Sequence, residues 1–539
     1  MTTARRHGEA DQTGSAAEES GGFHPGFNPW AIAFTVTMAT FMEVLDTSIA
    51  NVALPHIAGG LSATQEEATW VLTSYLVSNA IVLPISGWIA TRMGRKRFYM
   101  TCVALFTVSS FMCGIAPSLG TLIFFRILQG LGGGGLAPSE QAILSDTFEP
   151  KKRGMAFALY GMAVVLAPAI GPTLGGFITD HMSWRWIFFL NVPVGITSLM
   201  LTSRIVSDPP WLTEEKNKKN PIDGIGLGLV ALGLGSLEVV LDKGQEDDWF
   251  GSMFITTFAI TAVVAIVAFV VWECFEEHPV VDMKLFKNRN FAVTTGLIFL
   301  LGFVLYGTTV LIPQFVQLFM GYTATEAGMT LSPGAASIIL FMPVIGVLVG
   351  RVQARYLIAI GFTIESFALY RMTNIDLQID FRTAVFWRIW QAAGLAFLFI
   401  PITTAAYVGV PKEKNNDVSG MLNLGRNVGG SVGISFVSTV LARHSQAHQN
   451  FLVQHLTPFD APYRAMVREA SSALVNRGVA TGAAMHAAQG RVWGELLRQS
   501  QALAYRDLLW VMTFAAIAIV PFVFLLRKND PREGSPAAA

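Results

Sequence analysis

The residues able to do chemistry in this chain lie where charge is costly. In FMEVLDTSIANVALP, Glu43 and Asp46 stand three residues apart within an apolar stretch. In FFRILQGLGGGGLAP, Arg126 and Gln129 repeat that spacing. On a helix, positions i and i+3 share a face. An ionisable group at the centre of a membrane span costs roughly 2.5–3.5 kcal/mol, so each is a functional candidate by default. A lone buried arginine needs an anion, and Glu43 and Asp46 are the obvious one. Mutual repulsion and desolvation act on the two carboxylates against the pull of the arginine, and such a pair titrates as a unit. That competition suits a group that binds and releases a proton during a cycle. A static polar cluster holding helices together is the alternative. Glu140, Glu365 and Arg426 are weaker candidates, expected near span ends where long side chains snorkel to the surface.

These residues must be positioned by membrane helices. Of 539 residues, 52% are hydrophobic and 14% charged, against about 25% charged in soluble domains. Runs of about 20 apolar residues are span candidates. They occur near 30–54, 68–91, 98–116, 119–144, 155–178, 186–206, 223–241, 251–273, 291–319, 324–349, 355–372, 381–409, 420–442 and 505–527. The fold class expected is therefore an all-α integral membrane protein with fourteen transmembrane helices. With both termini cytoplasmic, the inner loops carry the basic clusters Arg92-Arg95-Lys96-Arg97, Lys151-Lys152-Arg153 and Lys216-Lys218-Lys219, as the positive-inside rule requires. The expected organisation is a disordered tail at 1–29, a six-helix bundle at 30–206 and two inserted helices at 207–290. A second six-helix bundle follows at 291–527, with a long outer loop at 443–504, and a short tail at 528–539. Net charge is zero, which gives no case for a nucleic-acid partner.

The halves are related. Arg126, Ile127, Gln129 and Gly132 match Arg388, Ile389, Gln391 and Gly394 in FWRIWQAAGLAFLFIP, an offset of 262. Pro84, Gly87 and Arg92 match Pro343, Gly346 and Arg351, an offset of 259. Duplicated bundles with a site at their interface are a transporter architecture. The duplication also disposes of a dinucleotide reading of Gly130, Gly132 and Gly135: G-x-G-x-x-G binds a pyrophosphate only between a strand and a helix, and here it lies inside a span. The stretch of the second half aligned with the first span, GFVLYGTTVLIP, has no carboxylate. Proton chemistry is thus expected in the first half. The substrate cavity is assigned Tyr306, Gln314, Gln317, Arg388 and Gln391 from the second half, with Gln129 from the first.

Other motifs concern movement and packing. In GMAVVLAPAIGPTLGG, Pro168 and Pro172 each remove a helix hydrogen bond, and Gly171 and Gly175 permit close backbone approach. Such a helix suits a seal or pivot between halves, or ordinary close packing. The basic turn GWIATRMGRKR, with Gly87, Arg92, Gly94, Arg95 and Lys96, could latch helix ends or serve only to orient the chain. His444 and His448, with His455 nearby, have the i, i+4 spacing of metal ligands, but no further ligand cluster is evident in sequence, and no metal or other cofactor is expected. Cys102 and Cys113 read as small core residues.

Taken together, LDTSIANVALP, GWIATRMGRKR, RILQGLGGGG and APAIGPTLGG resemble the motif set of major facilitator drug:proton antiporters. WRWIFFLNVPVG, LDKGQEDDWF and SGMLNLGRNVGGSVG are similar to its fourteen-span EmrB/QacA subfamily. The resemblance runs from Pro29 to Lys528. It implies a major facilitator fold and export of hydrophobic drugs, uncouplers or fatty acids from the cell inner membrane against proton entry. It also implies a periplasmic membrane-fusion adaptor and an outer-membrane channel as partners, the 443–504 segment being a plausible docking surface. On this resemblance Asp46 falls on the family's first-span aspartate, Arg126 on its fourth-span arginine and Gly171-Pro172 on its antiporter motif. Thr91 stands where the wider family's cytoplasmic loop motif usually has aspartate, which puts a charge relay through that position in doubt. A ligand sensor or an importer of the same fold is the competing reading. An enzyme would need a nucleophile–base or metal cluster that the sequence does not display.

Overall fold

The computed structural model describes residues 26–209 and 223–528, and it contains helices and no strand among them. The expected tails, and the linker carrying Lys216, Lys218 and Lys219, lie outside or largely outside the described residues. The first half comprises α1 (Pro29–Gly60), α2 (Gln65–Met93), α3 (Arg95–Gly114), α4 (Leu119–Gly133), α5 (Leu136–Thr147), α6 (Pro150–His181), α7 (Trp186–Phe189) and α8 (Asn191–Ile205). Two further helices follow, α9 (Gly224–Lys243) and α10 (Met253–Phe275). The second half holds α11 (Arg289–Met320), α12 (Ala324–Leu348), α13 (Ala354–Met372), α14 (Phe381–Ala406), α15 (Asn415–Val453), α16 (Ala461–Val475) and α17 (Thr481–Val523).

Local chemistry sets several boundaries. Thr64 with Glu67, and Thr323 with Glu326, form reciprocal capping boxes at the starts of α2 and α12, satisfying backbone donors that a helix start leaves free. Glycines 134 and 135 divide the expected fourth span into α4 and α5. Twelve helices among the described residues are long and apolar enough to cross a membrane, with α4–α5 and α7–α8 each counting once. At the remaining two expected spans lie α13 and α15, which are helical but not among those twelve. The reason is visible in α15, whose Asn415, Asn416, Asn423 and Arg426 are all buried against other helices. Apolar composition is needed where a helix faces lipid, and a helix facing the bundle interior escapes that demand.

The halves meet along α6 against α12 and α2 against α15, with α5 also on α15. The inserted pair sits beside this seam: α9 packs on α2 and α15, and α10 packs on α9. The outer face of α10, with Val263, Val264, Val267 and Val271, is exposed, as a lipid-facing surface would be.

The expected loop at 443–504 is largely helical. Helix α15 has 39 residues and α17 has 43, about 58 and 65 Å at 1.5 Å per residue, while a hydrocarbon core is about 30 Å thick. Both helices therefore run well past the spans, and α16 packs on α17 beyond them. Polar side chains hid this continuity, because a hydropathy reading ends a helix where its apolar run ends.

Candidate functional site

The carboxylate of Asp46 lies in the core of the first half, 2% exposed. Arg126 Nη1 donates to its Oδ2 at 2.6 Å, and Gln129 Nε2 and Asn191 Nδ2 donate to its Oδ1 at 3.1 and 2.6 Å. Four helices converge here: α1 supplies the acid, α4 the arginine and glutamine, α8 the asparagine, and α2 the Val71 carbonyl that accepts from Arg126 Nε at 2.9 Å. The guanidinium lies 4.3 Å from the centre of the Tyr75 ring and 5.7 Å from that of Phe188, a favourable place for a desolvated cation. The expected pairing of Arg126 with the first span is thus realised through Asp46.

Glu43 is not part of that pair. Its Oε1 accepts from Tyr75 Oη at 3.0 Å and Asn79 Nδ2 at 3.2 Å. It lines a cavity of about 110 Å³ with Tyr75, Asn79, Glu238, Tyr306, Arg426 and Asn427 among the other walls. One turn of α1 therefore serves two environments, with Tyr75 between them: its ring touches Arg126 and its hydroxyl touches Glu43. Charges from three regions face the cavity, Glu43 from the first half, Arg426 from the second and Glu238 from inserted helix α9. Ser431 donates to Glu238 at 2.7 Å.

The residues expected to snorkel do not. Arg426, Glu140 and Glu365 are 4%, 0% and 0% exposed. Arg426 Nη1 donates to Tyr160 Oη at 2.8 Å, Tyr160 donates to Asn423 at 2.9 Å, and Asn423 Nδ2 donates to Gln141 at 3.1 Å. This chain of hydrogen bonds crosses from α15 to α6 and α5, joining the halves. Glu140 accepts from Thr37 at 2.5 Å. Their depth follows from partners on other helices, which distance from a span end does not reveal.

Of the residues assigned to a substrate cavity, Tyr306 lines the one around Glu43. Gln129 belongs instead to the buried Asp46 cluster. Gln314 and Gln317 are exposed on α11 and are not among the residues lining this cavity. Arg388 and Gln391 form a second buried cluster: Arg388 bonds to Gln391, and Gln391 Nε2 donates to Thr308 Oγ1 at 2.5 Å and to Glu365 Oε1 at 3.0 Å. Thr308 lies 262 residues after Asp46, the offset that separates the two arginines. The repeat is therefore carried into three dimensions, with threonine in place of aspartate and with Glu365 of α13 supplying a carboxylate from a different helix.

Comparisons with known proteins agree with this architecture. The Major Facilitator Superfamily profile matches residues 36–434. The multidrug export protein EmrB of Haemophilus influenzae is 40% identical over 433 residues, covering 80% of this chain and 84% of that protein. The fatty acid resistance protein FarB of Neisseria gonorrhoeae is 36% identical over 92% of this chain and 96% of that one. The chain belongs to the major facilitator superfamily, among its EmrB-type members. Its fold is similar to that of the proton:xylose symporter XylE, with a TM-score of 0.54 at 14% identity, over 88% of this chain and 94% of the symporter. The superfamily is one of transporters and not of enzymes, and this member is a multi-pass membrane protein.

Two further motifs of this transporter take shape at the contacts between helices. In α6, Pro168 and Pro172 lie inside one continuous helix. Ser48 Oγ donates to the Pro168 carbonyl at 3.3 Å, a Cβ on Gly171 would fall 2.2 Å from Ser48 Oγ, and one on Gly175 would fall 3.1 Å from Ile49. The small-residue stripe thus brings α6 against α1, one helix turn from Asp46. At the basic end, Gly94 adopts a left-handed φ of +89° between α2 and α3, a conformation that favours glycine. Lys96 N donates to Asp208 at 2.7 Å. Arg92 lies 4.4 Å over the Trp88 ring, and a Cβ on Gly87 would fall 2.6 Å from Asp417 of α15.

Arg95, 2% exposed, pairs with Asp146 of α5, and Asn415 Nδ2 donates to the other oxygen of Asp146 at 2.7 Å. The basic turn is therefore tied across to the second half through Asp146, without an acid at Thr91, whose hydroxyl bonds to the Gly87 carbonyl. Lys414 beside it lies 3.3 Å from Asp282 and 3.5 Å from Asp417. Burial works against its ammonium, but these two carboxylates outweigh burial and raise its pKa. Asn191, Tyr75, Glu238, Thr308 and Asp146 went unread in the sequence. The signal for Asn191 and Glu238 was there, since each is a polar residue in an otherwise apolar run.

Proposed function

We propose that this protein exports hydrophobic small molecules, drugs or fatty acids among them, across the cell inner membrane in exchange for protons, by alternating access. The observation that carries the reading is Asp46: a carboxylate 2% exposed, held by Arg126, Gln129 and Asn191 at the meeting of α1, α4 and α8. A proton arriving at Asp46 would remove the anion that Arg126 faces and loosen the grip of these helices on one another. A conformational equilibrium shifts by as much as a ligand, here a proton, discriminates between its two states. Glu43, one turn away, lines the same cavity as Arg426 and would relay that change to the seam between the halves. The latch of Arg95, Asp146 and Asn415 would close the basic end, and the α1–α6 contact at Gly171 would act as the pivot.

The names of EmrB and FarB support the direction of transport and the hydrophobic substrates. Our reading includes fourteen spans, α13 and α15 completing the set, cytoplasmic termini by the distribution of basic residues, and two six-helix bundles at 30–206 and 291–527. It also places the protein in a tripartite pump, with a periplasmic adaptor docked on the helices beyond the spans and an outer-membrane channel beyond the adaptor. In proteoliposomes with an imposed proton gradient, the unmodified protein should accumulate substrate and Asp46→Asn should not. Uphill transport by Asp46→Asn would sink the assignment.

A further inference from the structure

His444 and His448 lie one turn apart on α15, just past the apolar run that ends near 442. Asp507 comes from α17. Its Oδ2 is 3.0 Å from His444 Nδ1 and 2.7 Å from His448 Nε2, and the three ligating atoms all lie within 4.8 Å of one another. Along the sequence only His455 lies near the two histidines, whereas Asp507 is about 60 residues away along the chain and arrives only when α15 packs against α17.

We propose that His444, His448 and Asp507 form a Zn²⁺ site, with the fourth position open to water. Zinc takes imidazole nitrogens and carboxylate oxygens at about 2.0–2.2 Å in tetrahedral geometry, which sets neighbouring donors about 3.3 Å apart. The two His–Asp distances, 3.0 and 2.7 Å, are shorter than that spacing, and all three atoms lie within 4.8 Å of one another, so rotation of the Asp507 carboxylate and the imidazoles would bring them to it. Two imidazoles and one carboxylate are a donor set suited to borderline metals, whereas Mg²⁺ and Ca²⁺ prefer oxygen. The side chains are 42%, 28% and 35% exposed, so an ion and its water have access.

The place gives the site a consequence. The segment between α15 and α17 contains α16, which packs on α17 beyond the spans. A metal bridging His444 and His448 to Asp507 fastens the two long helices at the root of that segment and fixes its direction relative to the bundle. The site does not depend on the transport reading.

The test uses tag-free, full-length protein in detergent, stripped with chelator and titrated with Zn²⁺ by calorimetry, with metal content read by elemental analysis. One zinc should bind per chain. Asp507→Asn and His448→Gln should each weaken it by at least about tenfold, and His455→Ala, outside the trio, should leave it unchanged. Zinc should also raise the melting temperature of the unmodified protein and leave that of Asp507→Asn where it was. Absence of stoichiometric zinc from the unmodified protein would overturn the site and reduce the trio to a carboxylate accepting from two imidazoles. Unchanged affinity in both variants would overturn it equally.

Discussion

The two halves carry the same arginine–glutamine pair and use it differently. In the first, Arg126 and Gln129 close on Asp46, with Asn191 as a further donor. In the second, Arg388 and Gln391 stand at the matching place, but Thr308 replaces the aspartate, and Glu365 reaches Gln391 from α13. Arg126 therefore has an ion-pair partner at 2.6 Å, while Arg388 forms no ion pair within 4.0 Å among the described residues. Its Nε, and Oε2 of Glu365, are buried without a hydrogen-bond partner. The arginine–glutamine pair recurs at an offset of 262, while the acid beside it differs. The half with the tight pair has the arrangement suited to a proton switch. The half with the loose one reads as a structural echo that keeps a carboxylate in reserve.

That contrast predicts a graded set of effects. The largest should come from Arg126→Ala, which leaves Asp46 buried and uncompensated. Removing one partner of a buried pair costs about 3–5 kcal/mol, and the purified protein should melt at markedly lower temperature and lose efflux. Arg388→Ala removes a charge-assisted hydrogen bond and no ion pair, so its cost should be about 1.5–3 kcal/mol. Equal losses in the two variants would break the comparison.

The next test separates the carboxylates by function. Glu365→Gln should retain uphill transport in proteoliposomes under the conditions in which Asp46→Asn fails. If Glu365→Gln also abolishes coupling, the second half takes part in proton chemistry and the asymmetry is only one of geometry. The smallest effect should belong to Thr308→Ala, which deletes one neutral hydrogen bond to Gln391. A loss of about 1 kcal/mol, read as a small shift of the melting temperature, with transport intact, would sharpen the view that this uncharged position takes no part in coupling.

Much of the architecture was legible along the chain. Apolar runs located the helices, because a segment facing lipid must be apolar over its whole length and must satisfy its backbone internally. The recurrence of Arg126 as Arg388, 262 residues on, pointed to two related halves. The pairing of Arg126 with the first span was legible for a related reason: a desolvated guanidinium demands an anion, and few anions were within reach. The failures have a common form. Gln314 and Gln317 were assigned to the cavity, yet both are exposed on α11 and neither lines the cavity around Glu43. Glu140, Glu365 and Arg426 were placed near surfaces by position, yet partners on other helices hold them inside.

The amino-acid sequence by itself determined what each segment can tolerate: where lipid contact is possible, where charge is costly, and where backbones can approach closely. These are properties of local composition and period, and they survive without knowing the neighbours. Which charges meet was decided only by tertiary structure. Glu43 and Asp46 lie one turn apart and part company because Tyr75 comes between them from α2. His444 and His448 gain Asp507 because α17 returns alongside α15. A helix fixes the direction of a side chain within one turn, but the atom it meets depends on how the other helices rotate and pack, and that is settled by the bundle as a whole.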